Sequence, residues 1–382
     1  MEEHEEHRQA TAERCALEPL VFAVQGSATV RCRSLEYFED FARLGIGMET
    51  DDIPVQFGLA LNAAGRPLGV YDLHAGVRRA TRKGVRQISG LDRARELADA
   101  CPRTRVIYLC ECTFGEFIDS SRKLEGTSIF QARRAERHRV LRGDGSSEDL
   151  FRHMDRQPVL ASMRLDVASG TWPSRRRRRT ANLELRAARI KLMPSKSGRR
   201  TPYEFTSVYA REVKRNKPVR WLLITNEGQA DAETAKNVVG WHAMSGVAEE
   251  FSTVLEIGFR SERLWPEYIG DLRYELAQAV ETSLEVYNLQ RLSKANPELL
   301  AIDAVTEVEI FVLHVLSNRI KKGAKLDMKL SIAAFLVKAA GLVGFHPSNS
   351  QTMPGTESVW QGWKQLKTGV VSYNAMKKMD RL

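Results

Sequence analysis

Leu20-Val21-Phe22-Ala23-Val24-Gln25 is an unbroken apolar run closed by one amide side chain. An apolar run without polar alternation is the pattern of a strand covered on both faces. Downstream, Val55-Gln56-Phe57-Gly58-Leu59-Ala60-Leu61 and Pro67-Leu68-Gly69-Val70-Tyr71-Asp72-Leu73 flank Asn62-Ala63-Ala64-Gly65-Arg66. Asn and Gly supply the unusual backbone angles of a tight turn, so this segment reads as an antiparallel hairpin. From about residue 89 to 100, Leu91, Ala94, Leu97 and Ala98 fall at helical spacing, and Pro102 ends the helix. Arg105 to Glu111 is a second β-branched and apolar run, ending in a carboxylate. An expected helix from Phe114 to Arg122 and a short strand from Ser128 to Ala132 follow it.

Strand, hairpin, helix, strand, helix, strand is the order of an RNase H-like α/β core, in which a mixed sheet brings carboxylates to its strand ends for metal-dependent phosphodiester chemistry. Residues 158–226 read as β-rich, with alternation in Leu183-Glu184-Leu185-Arg186 and Ile190-Lys191-Leu192 and a strand from Arg220 to Thr225. After Asn226-Glu227-Gly228 the pattern turns helical, over about 231–256, 266–290, 302–321, 328–342 and 357–376. The expected organisation is an acidic, solvated N-terminal tail over 1–18 and the first part of the core over 19–150. A basic β-rich insertion domain covers 151–228, core helices 229–290, and a helical C-terminal region 291–382.

The composition fits this plan. The chain has 382 residues, 58 Lys plus Arg against 48 Asp plus Glu, a formal charge of +10 and 43% apolar residues. This is globular usage with enough apolar content for a large core, which excludes global disorder. The charge is uneven: residues 1–60 hold 12 acidic and 5 basic side chains, a net −7, whereas residues 171–220 hold 16 basic and 3 acidic, a net +13. The five cysteines (Cys15, Cys32, Cys101, Cys110, Cys112) form an odd set with no C-x-x-C pair. Neither a disulfide framework nor a zinc ribbon is indicated, and a reducing, cytoplasmic setting is expected. The start, Met1-Glu2-Glu3-His4-Glu5-Glu6-His7, lacks the apolar segment of a signal peptide. The longest apolar stretch, Ala333 to Phe345, is interrupted by Lys338 and too short for a transmembrane span.

Five blocks, in order, carry a resemblance. Val21-Phe22-Ala23-Val24-Gln25-Gly26-Ser27-Ala28-Thr29 is similar to an apolar strand that normally ends in Asp-Thr-Thr. Val106 to Glu116 is similar to a strand and turn reading Val-Cys-Asp-Arg-Glu-Ala-Asp-Ile. Arg220-Trp221-Leu222-Leu223-Ile224-Thr225-Asn226-Glu227 resembles Lys-Trp-Leu-Leu-Leu-Thr-Ser-Glu, Glu249-Glu250-Phe251 matches Glu-Glu-Phe, and Val359-Trp360-Gln361-Gly362-Trp363 matches a Leu-Trp-x-Gly pattern. From about residue 20 onward the chain thus resembles the bacterial cut-and-paste DDE transposases of the insertion-sequence four group, to which the transposon five enzyme belongs.

The resemblance implies a chemistry and a set of roles. In the family, two Asp and one Glu hold two Mg²⁺ or Mn²⁺ ions, one activating the attacking oxygen and one stabilising the leaving oxygen. The matching positions here are Gly26, Glu111 and Glu249. Gly26 has no ligand atom, and Glu111 keeps its carboxylate on a stem one methylene longer. A displacement of ~1 Å at a catalytic group can cost ~100-fold. Impaired catalysis is therefore expected, with Glu111 and Glu249 the remaining metal candidates. Asp72 or Glu116 is the alternative source of a carboxylate in a rearranged nuclease centre.

The DNA-binding roles map onto other positions. Where the family shows Tyr, Arg, Glu and Lys on one helical face, this chain has His242, Ser245, Glu249 and Glu256. Trp221 falls where the family stacks a flipped base; its other reading is a strand aromatic in the core. Arg175, Arg176, Arg177, Arg178 and Arg179, followed by Arg186 and Arg189, read either as a solvated charge run or as phosphate contacts in a DNA-facing insertion. Only 25 residues precede Gly26, so the family's end-reading domain is not expected. The partners implied are double-stranded DNA and a second subunit, as a homodimer or as a heterodimer with an intact transposase. The location implied is the bacterial cytoplasm, associated with the nucleoid.

Overall fold

The computed structural model describes residues 2–31, 52–75, 90–110, 117, 126–131, 139–169, 177–192, 203–213, 218–262, 269–317, 328–348 and 352–379. In chain order its elements begin with α1 (Glu2–Cys15), β1 (Leu20–Arg31), β2 (Asp52–Asn62), β3 (Pro67–Ala75), α2 (Gly90–Ala100), β4 (Arg105–Cys110) and β5 (Thr127–Gln131). They continue with β6 (Arg139–Leu141), β7 (Ser147–Asp149), α3 (Leu150–Asp155), β8 (Ala161–Ser169), β9 (Arg177–Leu192), β10 (Tyr203–Glu212) and β11 (Arg220–Thr225). The helices α4 (Ala232–Ala243), α5 (Ser245–Glu262), α6 (Ile269–Ala295), α7 (Glu307–Ser317), α8 (Ile332–Gly341) and α9 (Thr356–Met379) complete the chain.

All the described strands belong to one mixed sheet in the order β3-β2-β1-β4-β5-β11-β10-β9-β6-β7, with β8 also paired to β9. β1 runs antiparallel to β2 and parallel to β4, β4 runs parallel to β5, and β5 runs antiparallel to β11. β1 behaves as its unbroken apolar run predicts. Phe22, Val24, Ala28 and Val30 enter one core cluster together with α5, while Val21 and Ala23 enter a second cluster with Ala94 and Leu97 of α2. The β2–β3 hairpin turns as expected. Asn62 Oδ1 accepts the N–H groups of Ala64 (3.1 Å) and Arg66 (3.0 Å), and Gly65 takes φ +71°.

Three expectations change on folding. The N-terminal segment is not a solvated tail: Glu2–Cys15 is a helix on β3, with Thr11 Oγ1 donating to the Val70 carbonyl (3.3 Å) and His7 paired with Glu281 of α6 (2.5 Å). The charge of its first turns masks a narrow face of Thr11, Ala12 and Cys15 that needs only small residues, because the facing β3 backbone carries Gly69 beside Thr11. Burial on this face, with Cys101 adjacent, pushes the Cys15 thiol up to about 12. Second, β8 to β11 do not form a separate sheet but continue that of the core through the β5–β11 pairing. Third, the single helix expected over about 231–256 is two helices. Met244 N–H bonds to the Trp241 carbonyl and Val247 N–H to the Met244 carbonyl, both at 3.0 Å, and these i→i−3 bonds interrupt the α-helical ladder. The helix expected over 114–122 lies outside the described residues apart from Phe117. Among the described residues, no helix is long and apolar enough to cross a membrane.

The Val359-Trp360-Gln361-Gly362-Trp363 block is a packing knot. Trp360 is fully buried against Gly258 of α5, and Gly362 lets α9 approach the backbone of Ala339 and Ala340 in α8. Trp363 Nε1 donates to Glu285 of α6 (2.7 Å), and Lys367 Nζ bridges Glu285 (2.9 Å) and Glu309 of α7 (3.0 Å). Burial works against the charge on Lys367, but the two carboxylates outweigh it and hold the ammonium above its ordinary pKa. The stabilisation is therefore complete below the ordinary lysine value of about 10.4 and is lost as pH rises through the elevated value. Lys367→Met should flatten the fall of thermal midpoint with pH above about 10.4; an unchanged alkaline limb would remove this bridge from the account. Trp360→Ala should cost about 3–5 kcal/mol in denaturant unfolding.

Candidate functional site

The site begins where α5 lies on β1. Val247, Ala248, Phe251, Val254, Leu255 and Phe259 form the buried face of the helix. From Gly26 to Thr29 the strand advances ~10 Å, and from Ala248 to Glu256 the helix rises ~12 Å. The two ends of this overlap are tied: a Cβ on Gly26 would lie 3.2 Å from the Ala248 Cβ, and Glu256 Oε1 accepts the Thr29 N–H at 2.9 Å. Glu256 is thus bonded to the β1 backbone.

Gly26 is not an open vacancy. It pairs with Phe57 across the β1–β2 ladder, and an added Cβ would come within 2.6 Å of Phe57 Cε2. That ring is buried and meets Phe251 edge-on at 5.1 Å, and Phe251 in turn contacts Tyr287 at 6.3 Å. Tyr287 donates to Glu250 Oε2 at 2.8 Å, and burial together with the Glu250 charge raises the phenol's pKa. An aromatic stack of Phe57, Phe251 and Tyr287 therefore fills the volume beside Gly26.

Glu249 is exposed on α5, one residue from Ala248 and hence ~100° around the helix from the line that meets Gly26. Its carbonyl accepts from Ser252 Oγ and Thr253 Oγ1. Glu111 and Glu116 lie outside the described residues. Asp72 is buried, but it pairs with Gly58 in the register that places it over α2, 3.9 Å from Arg93 Nε. Successive strand residues face opposite sides, so Asp72 sits across the sheet from Gly26 and α5. Among the described residues, no three His, Cys, Asp or Glu side chains come together as a metal site. Of the three positions expected to hold metal, Gly26 offers no ligand atom, Glu111 lies outside the described residues, and Glu249 is the one described carboxylate.

Trp221 on β11 is half-buried, and His242 on α4 is buried beneath it with the rings at 5.0 Å and 82°. The break at Met244 puts His242 on a different helix from Ser245, Glu249 and Glu256, so the single face expected for those four residues is not formed. Ser245 opens α5 and is half-buried. Beside this pair, Arg105 stacks over Trp241 at 5.1 Å and bonds to Thr127 and Glu227, tying β4, β5 and the end of β11 together.

The basic residues divide by environment. Arg175 and Arg176 lie outside the described residues, and the backbone of Arg177 and Arg178 pairs with Ser169 and Ala168 in β9–β8. Arg179 makes a two-point pair with buried Glu212, the second contact at 2.6 Å, and this bonding raises its pKa further. Arg186 donates to the Gln157 carbonyl (3.1 Å) and to Glu184 (3.3 Å), 5.8 Å from the Tyr209 ring centre. Arg189 is exposed, bonded to Thr206 Oγ1 (3.3 Å) and 3.8 Å from Glu204. Arg179 and Arg186 thus serve the sheet's own packing, and Arg189 faces outward.

Phe57 is the residue that the sequence does not single out. Its signal was the missing Cβ at Gly26, which invites a large side chain from the neighbouring strand. A comparison with protein-family models and another with curated proteins each gave no match to this chain.

Gly26→Ala should destabilise by about 1–3 kcal/mol, the range for overpacking a filled core. In a Phe57→Leu background, which removes the ring edge, the same change should cost less than half as much. Equal costs in both backgrounds, measured by denaturant unfolding, would exclude the ring as the obstacle.

Proposed function

We propose that this chain is a transposase-derived DNA-binding protein with an RNase H-like core, impaired in the metal-dependent strand cleavage and transfer of its family. The observation that carries the reading is the arrangement of the first five strands. The order β3-β2-β1-β4-β5, with an antiparallel β3-β2-β1 meander followed by parallel β4 and β5, supports the RNase H-like reading. The packing of the helix that bears Glu249 against β1 beside Gly26 supports reading those two positions as parts of one site. The basic stretch 171–220, a net +13, supports duplex DNA as the partner and nucleoid association as the location.

Catalytic impairment is supported by the side chains themselves: Gly26 offers no ligand, Phe57 fills the adjoining volume, and Asp72 points away. Supercoiled plasmid incubated with Mg²⁺ or Mn²⁺ should stay intact with this protein. Nicking that disappears in Glu249→Ala would overturn the impairment. DNA binding is tested separately by fluorescence anisotropy with a labelled duplex, where six to ten phosphate contacts give a log affinity against log salt slope of about −5 to −9.

A second reading, a non-enzymatic inhibitor that pairs with an intact transposase, draws on a C-terminal helical region that is fully formed around Trp360, Gly362 and Trp363, beside a Gly26 position that offers no ligand atom. Co-expression with an intact relative should then depress transposition, and undiminished transposition would sink this reading.

A further inference from the structure

The β6–β7 hairpin, α3 and the outer part of β9 enclose a polar groove of about 750 Å³. Its charged lining comprises four cations, Arg142, Arg156, Arg189 and Lys191, against one carboxylate, Glu148, with His153 beside them. Glu148 is only 12% exposed and organises three of these groups, meeting Arg142 Nε at 3.2 Å, His153 Nδ1 at 2.8 Å and Arg156 Nη1 at 3.4 Å. The His153 hydrogen bond, helped by the Arg142 charge, holds the Glu148 carboxyl below its usual range, so it remains ionised as an anchor. The guanidinium side chains stay 44% and 58% exposed while Glu148 fixes one edge of each.

The rest of the groove is built to the same purpose. The hairpin tip is held by Asp144, which accepts both the N–H (2.8 Å) and the hydroxyl (2.6 Å) of Ser146, with Gly145 at φ +80°. Among the described residues, nothing lies within 4 Å of where a Cβ on Gly143 or Gly145 would stand. Outside the lining, Glu204 of β10 lies 3.8 Å from Arg189 and 3.2 Å from Lys191, so those two cations share a carboxylate partner while Arg142 and Arg156 share Glu148. Fixed, outward-facing guanidinium forks at the margin of a strongly basic surface are suited to phosphate oxygens.

We infer that this groove holds the phosphodiester backbone of duplex DNA, with Arg142 and Arg156 as its phosphate contacts and Glu148 as their positioning residue. The inference rests on the DNA-binding reading above and adds to it a site outside the basic run at 175–179. It is tested with a fluorescein-labelled 25-base-pair duplex, by anisotropy over a salt series, on the full chain and on Arg142→Ala/Arg156→Ala. Loss of two contacts at ~0.9 each should make the slope shallower by about 1.8. Arg95→Ala/Arg103→Ala, two arginines at α2 and the turn after it, should leave the slope unchanged. As a check that needs no variant, the duplex should protect Arg142 and Arg156 of the unaltered protein from modification by phenylglyoxal. If the unaltered protein binds DNA but the groove variant keeps its slope, or the two arginines are not protected, the groove assignment falls and the DNA-binding reading stands. If the unaltered protein does not bind duplex at low salt, both fall. A variant that binds single-stranded and duplex DNA with equal loss supports backbone contact, whereas a loss confined to single strands overturns the duplex assignment.

Discussion

The packing of α5 along β1 is the contact on which the rest of the molecule depends. A helix can lie this close to a strand only where the strand offers little side chain, and Gly26 beside Ala248 meets that condition. The overlap is closed at its far end by Glu256 on the Thr29 N–H, a backbone donor that β4 does not reach because its pairing with β1 ends at Val24 and Leu109. From α5 the contact passes to the C-terminal helices through Gly258 and Trp360, where a second missing side chain admits a ring. Two glycines and two large aromatics thus link the sheet, its covering helix and the last helix into one core.

The same economy of space bears on chemistry. A larger side chain at Gly26 would need the volume that the ring of Phe57 occupies, and that ring is backed in turn by Phe251 and Tyr287. Several charged side chains are also taken up by internal partners: Arg179 serves Glu212, Arg186 serves Gln157 and Glu184, and Glu256 serves Thr29. Outward-facing cations remain on β9 and around the β6–β7 hairpin.

Much of the fold was legible because its signals are local. The apolar run at Leu20–Gln25, the Asn–Gly turn, the stop at Pro102 and the alternation of Arg220–Thr225 each depend on neighbours in sequence, and the corresponding elements stand within a few residues of their expected bounds. α1 was not legible. Its composition is dominated by glutamates, and its buried face consists of residues too small to register as apolar periodicity. The break at Met244 was equally hidden, since Val238, Val239, Val247 and Phe251 keep a helical rhythm across it. Trp221 and His242 were both singled out by position alone, and only the sheet-to-helix packing brings their rings together.

The sequence by itself determined the order of elements, the double-sided burial of β1, the concentration of positive charge in 171–220, and the absence of a ligand atom at Gly26. Each follows from residue type and short-range periodicity, which act through adjacent backbone geometry. The tertiary structure alone decided what fills the Gly26 position, which face Asp72 takes, which arginines are spent on internal partners, and that Glu148 gathers Arg142, His153 and Arg156. These are contacts between residues far apart in the chain or across the pleat of the sheet. Their geometry exists only once sheet register and helix packing fix which side chains share a face.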